Sequence, residues 1–129
     1  VHAMAPALVP ALDSTSLASV GARGVPVRVV LGADDRQVPP GPTATALARA
    51  LPAAAVETRP GVVHYAFLAP CIWRGRLFVR ALCGDGAVGR EALHPAVARD
   101  AVRFFRQHVA RAAIHGSRER VPRWRELVS

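Results

Sequence analysis

The chain has 129 residues, enough for one modest domain with little room for a second. With 51% hydrophobic and 20% charged residues it has an ordinary globular mix, which argues against disorder throughout. The formal charge of +8 raises a polyanion as partner, but all 17 basic residues are arginines spread along the chain. The one dense group is Arg111, Arg118, Arg120, Arg123 and Arg125, and it lacks the aromatic interleaving of a base-stacking surface, so nucleic acid is not the expected partner.

In chain order, Val1 to Pro10 reads as the end of a buried strand running into a proline-bounded loop. Asp13 to Val20 predicts a short helix capped by Asp13 or Ser14 and ended by Gly21 and Gly24. Pro26 to Gly32, "PVRVVLG", is the clearest strand, and its nearly continuous apolar run fits a central parallel strand. Pro42 to Pro52 predicts a helix, with Leu47 and Leu51 on one face.

Ala53 to Gly61 predicts a short strand closed by a Pro-Gly turn, and Val62 to Pro70 an apolar loop or helix start. Cys71 to Leu93, with four scattered glycines, reads as irregular. His94 to Ala113 predicts an amphipathic helix with Pro95 in its first turn and Val97, Ala101, Phe104, Phe105 and His108 on one stripe. The domain is expected to span 1–115, with a charged tail at 116–129 to which Trp124 and Leu127 belong. Strand, loop, helix in alternation predicts the α/β class: parallel strands with crossover helices.

No apolar run reaches the roughly 20 residues of a membrane span, and Val1 to Leu12 lacks the basic start of a secretory signal. Cys71 and Cys83 match no metal-ligand spacing, which leaves a disulfide closing a small loop or two buried thiols.

Ligands of open α/β sheets bind beyond the carboxyl ends of the strands. Asp35 lies three residues past Gly32, and His64 three past Gly61, each just after a predicted strand. The two are 29 residues apart, room for one helix and one strand, so neighbouring parallel strands would deliver both to one sheet edge. A carboxylate against an imidazole fixes its tautomer and stabilises the cation formed when the ring takes a proton. The plainer alternatives are a turn or N-cap carboxylate for Asp35 and a hydrogen-bonded histidine under an apolar loop for His64.

"GADDRQVPP" resembles the acid loop of the α/β-hydrolase superfamily, where glycine is followed three residues later by the triad acid and then four later by proline: here Gly32, Asp35 and Pro39. "PGVVHYAFL" resembles the same superfamily's histidine loop, and the order Asp before His agrees with it. "AMAPAL", "HYAFLAPC", Cys83 and "LHPAVARDAVRFFRQH" resemble more narrowly the dienelactone-hydrolase-like branch, which is also similar to platelet-activating-factor acetylhydrolases. The resemblance covers about Ala3 to Val109.

It implies the C-terminal portion of an α/β-hydrolase fold acting on a small-molecule carboxylic ester. Asp35 would be the triad acid and His64 the general base, with no metal or organic cofactor. A secreted or periplasmic location follows from the cysteine pair and the family together.

The departures are specific. No G-x-S-x-G occurs, and Ser14, Ser16 and Ser19 sit in "LDSTSLASVG", with Leu17 where an elbow glycine would stand. The oxyanion loop is missing too. The chain also opens at Val1 rather than at methionine, so it is read as a piece of a longer protein and is expected to be inactive alone. Val63 replaces a glycine common before the histidine, and Asp34 is a substitute acid if the loop register shifts by one. The rival readings are a basic protein binding nucleic acid or another polyanion through its arginine-rich tail, and a non-catalytic paralogue.

Overall fold

The computed structural model describes residues 1–7, 9 and 12–116, with side-chain burial through residue 109. Of the tail expected at 116–129, Gly116 instead ends the last helix, and 117–129, including Arg118, Arg120, Arg123, Trp124, Arg125 and Leu127, lies outside the described residues.

Three parallel strands, β1 (His2–Met4), β2 (Arg28–Gly32) and β3 (Ala55–Arg59), lie in the order β1-β2-β3. Val29 pairs with Ala3 on one side and Val56 on the other. β2 is therefore central, and Val29, Val30, Leu31 and Gly32 are buried, as its unbroken apolar run requires of a strand covered on both faces. Met4, by contrast, is 46% exposed, so β1 is not the buried strand that its apolar sequence predicts. On its outer side it pairs with nothing among the described residues.

The crossovers are α1 (Ser14–Ala22) and α2 (Pro40–Ala50), which pack on one sheet face. Val29, Leu31, Leu47, Leu51 and Val9 form the core there, with Leu17, Val20 and Val56 against it. Asp13 caps α1 by accepting the amide of Ser16 at 2.7 Å, and the Ser16 side chain, with the Ser16 and Thr15 amides, holds its carboxyl below the ordinary value. Gly21 does not end this helix but lies inside it, and the left-handed turn (φ +65°) comes at Gly24. α2 begins two residues earlier than Pro42 predicts, because Pro40 at its first position needs no N–H partner.

The other face meets the long helix α5 (Arg90–Gly116). Asp100 of α5 accepts the Arg28 Nε–H at 2.6 Å and lies 3.9 Å from Arg59 and 3.6 Å from His2. Glu57 completes the cluster with bonds to Arg28 at 2.5 Å and Arg59 at 2.8 Å. Phe104 is buried beside His2 and His108, but Phe105 is 48% exposed and leaves the predicted stripe, since successive helical residues point about 100° apart.

Two further expectations are corrected. α5 starts at Arg90, not His94, and Pro95 sits inside it rather than in the first turn. The turn before the proline is held from outside the helix, by Leu93 in the core with Val62, Ala66 and Val97 and by the buried Arg90. The stretch 71–93 is not irregular throughout: α3 (Trp73–Phe78) and α4 (Arg80–Cys83) fold within it. A disulfide joins Cys71 to Cys83, and Gly75 of α3 packs against it, where a Cβ would lie a tight 3.3 Å from the Cys83 sulfur. Among the described residues, no helix is long and apolar enough to cross a membrane.

Candidate active site

Both predicted groups arrive from loops at the carboxyl ends of β2 and β3. The loop after β2 is tied to the end of β3 by the Ala33 N–H on the Arg59 carbonyl at 2.9 Å and to the loop after β3 by the Asp34 N–H on the Val62 carbonyl at 3.1 Å. Close approach needs a glycine at 32, since any Cβ there would overlap the Val62 carbonyl oxygen. Gly61 turns the second loop at φ +74°, and its carbonyl receives the Val88 N–H at 3.0 Å.

Asp35 is buried, its side chain 1% exposed. One carboxylate oxygen, Oδ1, accepts the amides of Gln37 at 2.9 Å and Val38 at 2.7 Å. The other, Oδ2, lies 2.7 Å from Nδ1 of His64. The turn role and the histidine partnership, alternatives in the sequence, are thus carried by different oxygens of one group. Asp35 does not cap α2, whose N-cap Pro39 makes no side-chain bond.

His64 opens a 3-10 turn, His64–Phe67, and its ring meets Tyr65 edge to face at 5.0 Å between centroids. With Nδ1 on the carboxylate, that nitrogen carries the hydrogen of a neutral ring and Nε2 holds the lone pair. Nε2 makes no hydrogen bond among the described residues. The histidine lines an open cleft of about 620 Å³ together with Asp34, Arg36, Gln37, Tyr65 and Asp85. Asp34 is exposed and makes no bond to His64, so the register places Asp35, not its neighbour, on the ring.

The 3-10 turn is fixed from behind by two residues: Arg90, which the sequence reading passed over, and His94, which it read as a helix start. Arg90, 4% exposed, donates to the carbonyls of Tyr65 at 2.8 Å, Leu82 at 2.6 Å and Cys83 at 2.9 Å and to Asp85 at 2.7 Å. His94 Nε2 stands 2.9 Å from the Ala66 carbonyl. Nothing marks Arg90 in the sequence, where it is one arginine among seventeen. Its burial comes entirely from the fold.

The serines of α1, Ser14, Ser16 and Ser19, do not line this cleft. No cluster of three or more His, Cys, Asp or Glu among the described residues is placed to hold a metal ion. The site therefore offers a proton acceptor with an oriented lone pair and a buried anion behind it, and among the described residues no serine or threonine hydroxyl lines the cleft.

Comparison of the chain with protein-family models, with curated proteins and with solved structures gave no match in any of the three.

Proposed function

We propose that Asp35 and His64 are the acid and base of a nucleophilic triad in a carboxylic-ester hydrolase of the α/β-hydrolase type, dienelactone-hydrolase-like, of which this chain is the C-terminal portion. The observation that carries the reading is the 2.7 Å contact between a buried, doubly amide-bonded carboxylate and His64 Nδ1. Such a pair leaves Nε2 free to accept a proton and stabilises the resulting imidazolium.

In the intact protein a serine outside these residues attacks the ester carbonyl. Its hydroxyl proton passes to His64 Nε2, and the carbonyl becomes a tetrahedral oxyanion. As that intermediate collapses, the same proton passes to the departing alcohol and an acyl-enzyme remains. Water, deprotonated by His64, then releases the acid and restores the serine. Asp35 keeps its charge throughout and orients the ring. Substrate is a small-molecule ester held in the cleft beside Tyr65. A secreted or periplasmic location belongs to the same proposal and is supported by the Cys71–Cys83 disulfide.

The coding sequence that precedes Val1, expressed in frame with this chain, tests the reading. A fluorophosphonate probe should label the longer protein and leave the 129-residue chain unlabelled. Hydrolysis of p-nitrophenyl esters should accompany the labelling and disappear in His64→Ala. A longer protein that neither takes the probe nor cleaves esters would refute the assignment.

A further inference from the structure

The disulfide-closed segment between Cys71 and Cys83 turns its apolar side chains outward. Ile72 is 70% exposed, Trp73 67% and Phe78 77%, and Leu68, Leu77 and Leu82 are exposed around them. A protein normally buries side chains of this size, and so many together on a short segment mark a surface that meets something apolar.

The charges of the same segment define what that is. Arg74, Arg76 and Arg80 are all exposed among the apolar residues, and no aspartate or glutamate occurs from Val62 to Gly84. The Arg74 guanidinium sits over the Trp73 ring at 5.1 Å. Tryptophan, phenylalanine and leucine interleaved with arginines is the chemistry of a surface that lies in the headgroup region of a bilayer, apolar side chains entering the acyl boundary and guanidinium groups meeting phosphates. A partner copy of this chain, itself strongly basic, would set arginine against arginine.

We infer that the segment Cys71–Cys83 is an interfacial docking surface for an anionic lipid layer. The disulfide closes the segment on itself, and the Arg90 bonds to Leu82 and Cys83 hold its end to the body of the protein, so its side chains are displayed without a folding step on binding. Ala81 and Gly84, at its end, form one wall of the cleft that holds His64. Docking therefore sets that cleft beside the lipid surface. Where the ester-hydrolase reading also holds, the substrate class narrows to esters carried in or near such a surface. The docking itself needs no nucleophile and stands apart from that reading.

The test uses the full chain with Trp124→Phe, which leaves Trp73 as the sole tryptophan, titrated with vesicles of phosphatidylcholine alone and with added phosphatidylglycerol. Trp73 emission should shift to the blue on the anionic vesicles only, and the binding should weaken as salt rises. Each arginine near such a surface contributes about a fivefold factor, so Arg74→Gln, Arg76→Gln and Arg80→Gln together should weaken partitioning by about a hundredfold. Phe78→Ser should weaken it without changing the circular dichroism. Equal binding to neutral vesicles, or unchanged binding by the triple variant, overturns the inference. So does a Phe78-dependent dimer in sedimentation that leaves no vesicle binding. Lost vesicle binding with intact ester hydrolysis in the longer protein would remove the docking surface and leave the enzyme; the reverse would remove the enzyme alone.

Discussion

Gly32 and Val62 hold the acid loop against the histidine loop: the Val62 carbonyl oxygen occupies the space a Cβ at position 32 would need and accepts the Asp34 amide at 3.1 Å. The blocking atom is main chain, which cannot swing aside as a flexible side chain does. Gly32→Ala should therefore cost about 1–3 kcal/mol, the range for overpacking a close contact. A fall in the urea midpoint with an unchanged slope reports it. The same substitution should disturb the His64 Nδ1 proton resonance, because the two loops part.

The two adjacent aspartates make opposite predictions. Asp35→Asn removes the anion behind His64 and presents an amide that favours the wrong tautomer, so under the proposed triad any ester-hydrolase kcat should fall on the order of 10⁴-fold. Asp34→Asn, at an exposed cleft group with no bond to the ring, should lower kcat far less than Asp35→Asn. Parallel assays of the two variants decide the register, and a loss confined to Asp34→Asn would reverse it.

Arg90 gathers three carbonyls and one carboxylate from two segments of chain, Tyr65 and 82–85. Arg90→Met leaves the Tyr65, Leu82 and Cys83 carbonyls without their donor, while Asp85, which is part-exposed, can turn to water, so the expected loss is about 1–3 kcal/mol by denaturant unfolding. Arg90→Lys should recover only part of it, since a single ammonium cannot span the acceptors that a planar guanidinium reaches. Full rescue by lysine would show that charge alone mattered.

Asp100 sets an acid limb to stability. Burial opposes its charge, but the hydrogen bond and charge of Arg28, with His2 and Arg59, more than offset that and hold its carboxyl below the ordinary value. A carboxyl depressed in the folded state contributes stability above its unfolded pKa of about 3.9 and loses it as the pH falls through the lower folded value. Thermal unfolding followed downward from pH 5 should show that decline. Asp100→Asn should be less stable at neutral pH and flatter below pH ~4. A variant with the same acid limb as the native chain would assign the limb to other carboxylates.

Local pattern carried the strands and helices well where one residue's chemistry settles the matter. The run at Val29–Leu31 specified a central strand because only a strand covered on both faces tolerates that much apolar surface. Asp13 capped its helix, and Pro52 stands just past the helix it was expected to stop. Local pattern misled where distant contacts outweigh propensity. The first turn of α5 precedes a proline and is held by Arg90 and Leu93, and the glycines at 75 and 84 disguised two short helices stapled by the disulfide.

Asp35 and His64 were legible one by one, as polar groups just beyond strand ends with a helix and a strand between them. Their separation of 2.7 Å was not, because it depends on β2 and β3 pairing in parallel and on a glycine thin enough to let two loops touch. Nor was the burial of Arg90, or the outward aim of Trp73 and Phe78. Side-chain type and spacing are written along the chain. Which group meets which across 29 residues, and which is left facing outward, is set by the packing of sheet and helices, a property that no single segment carries.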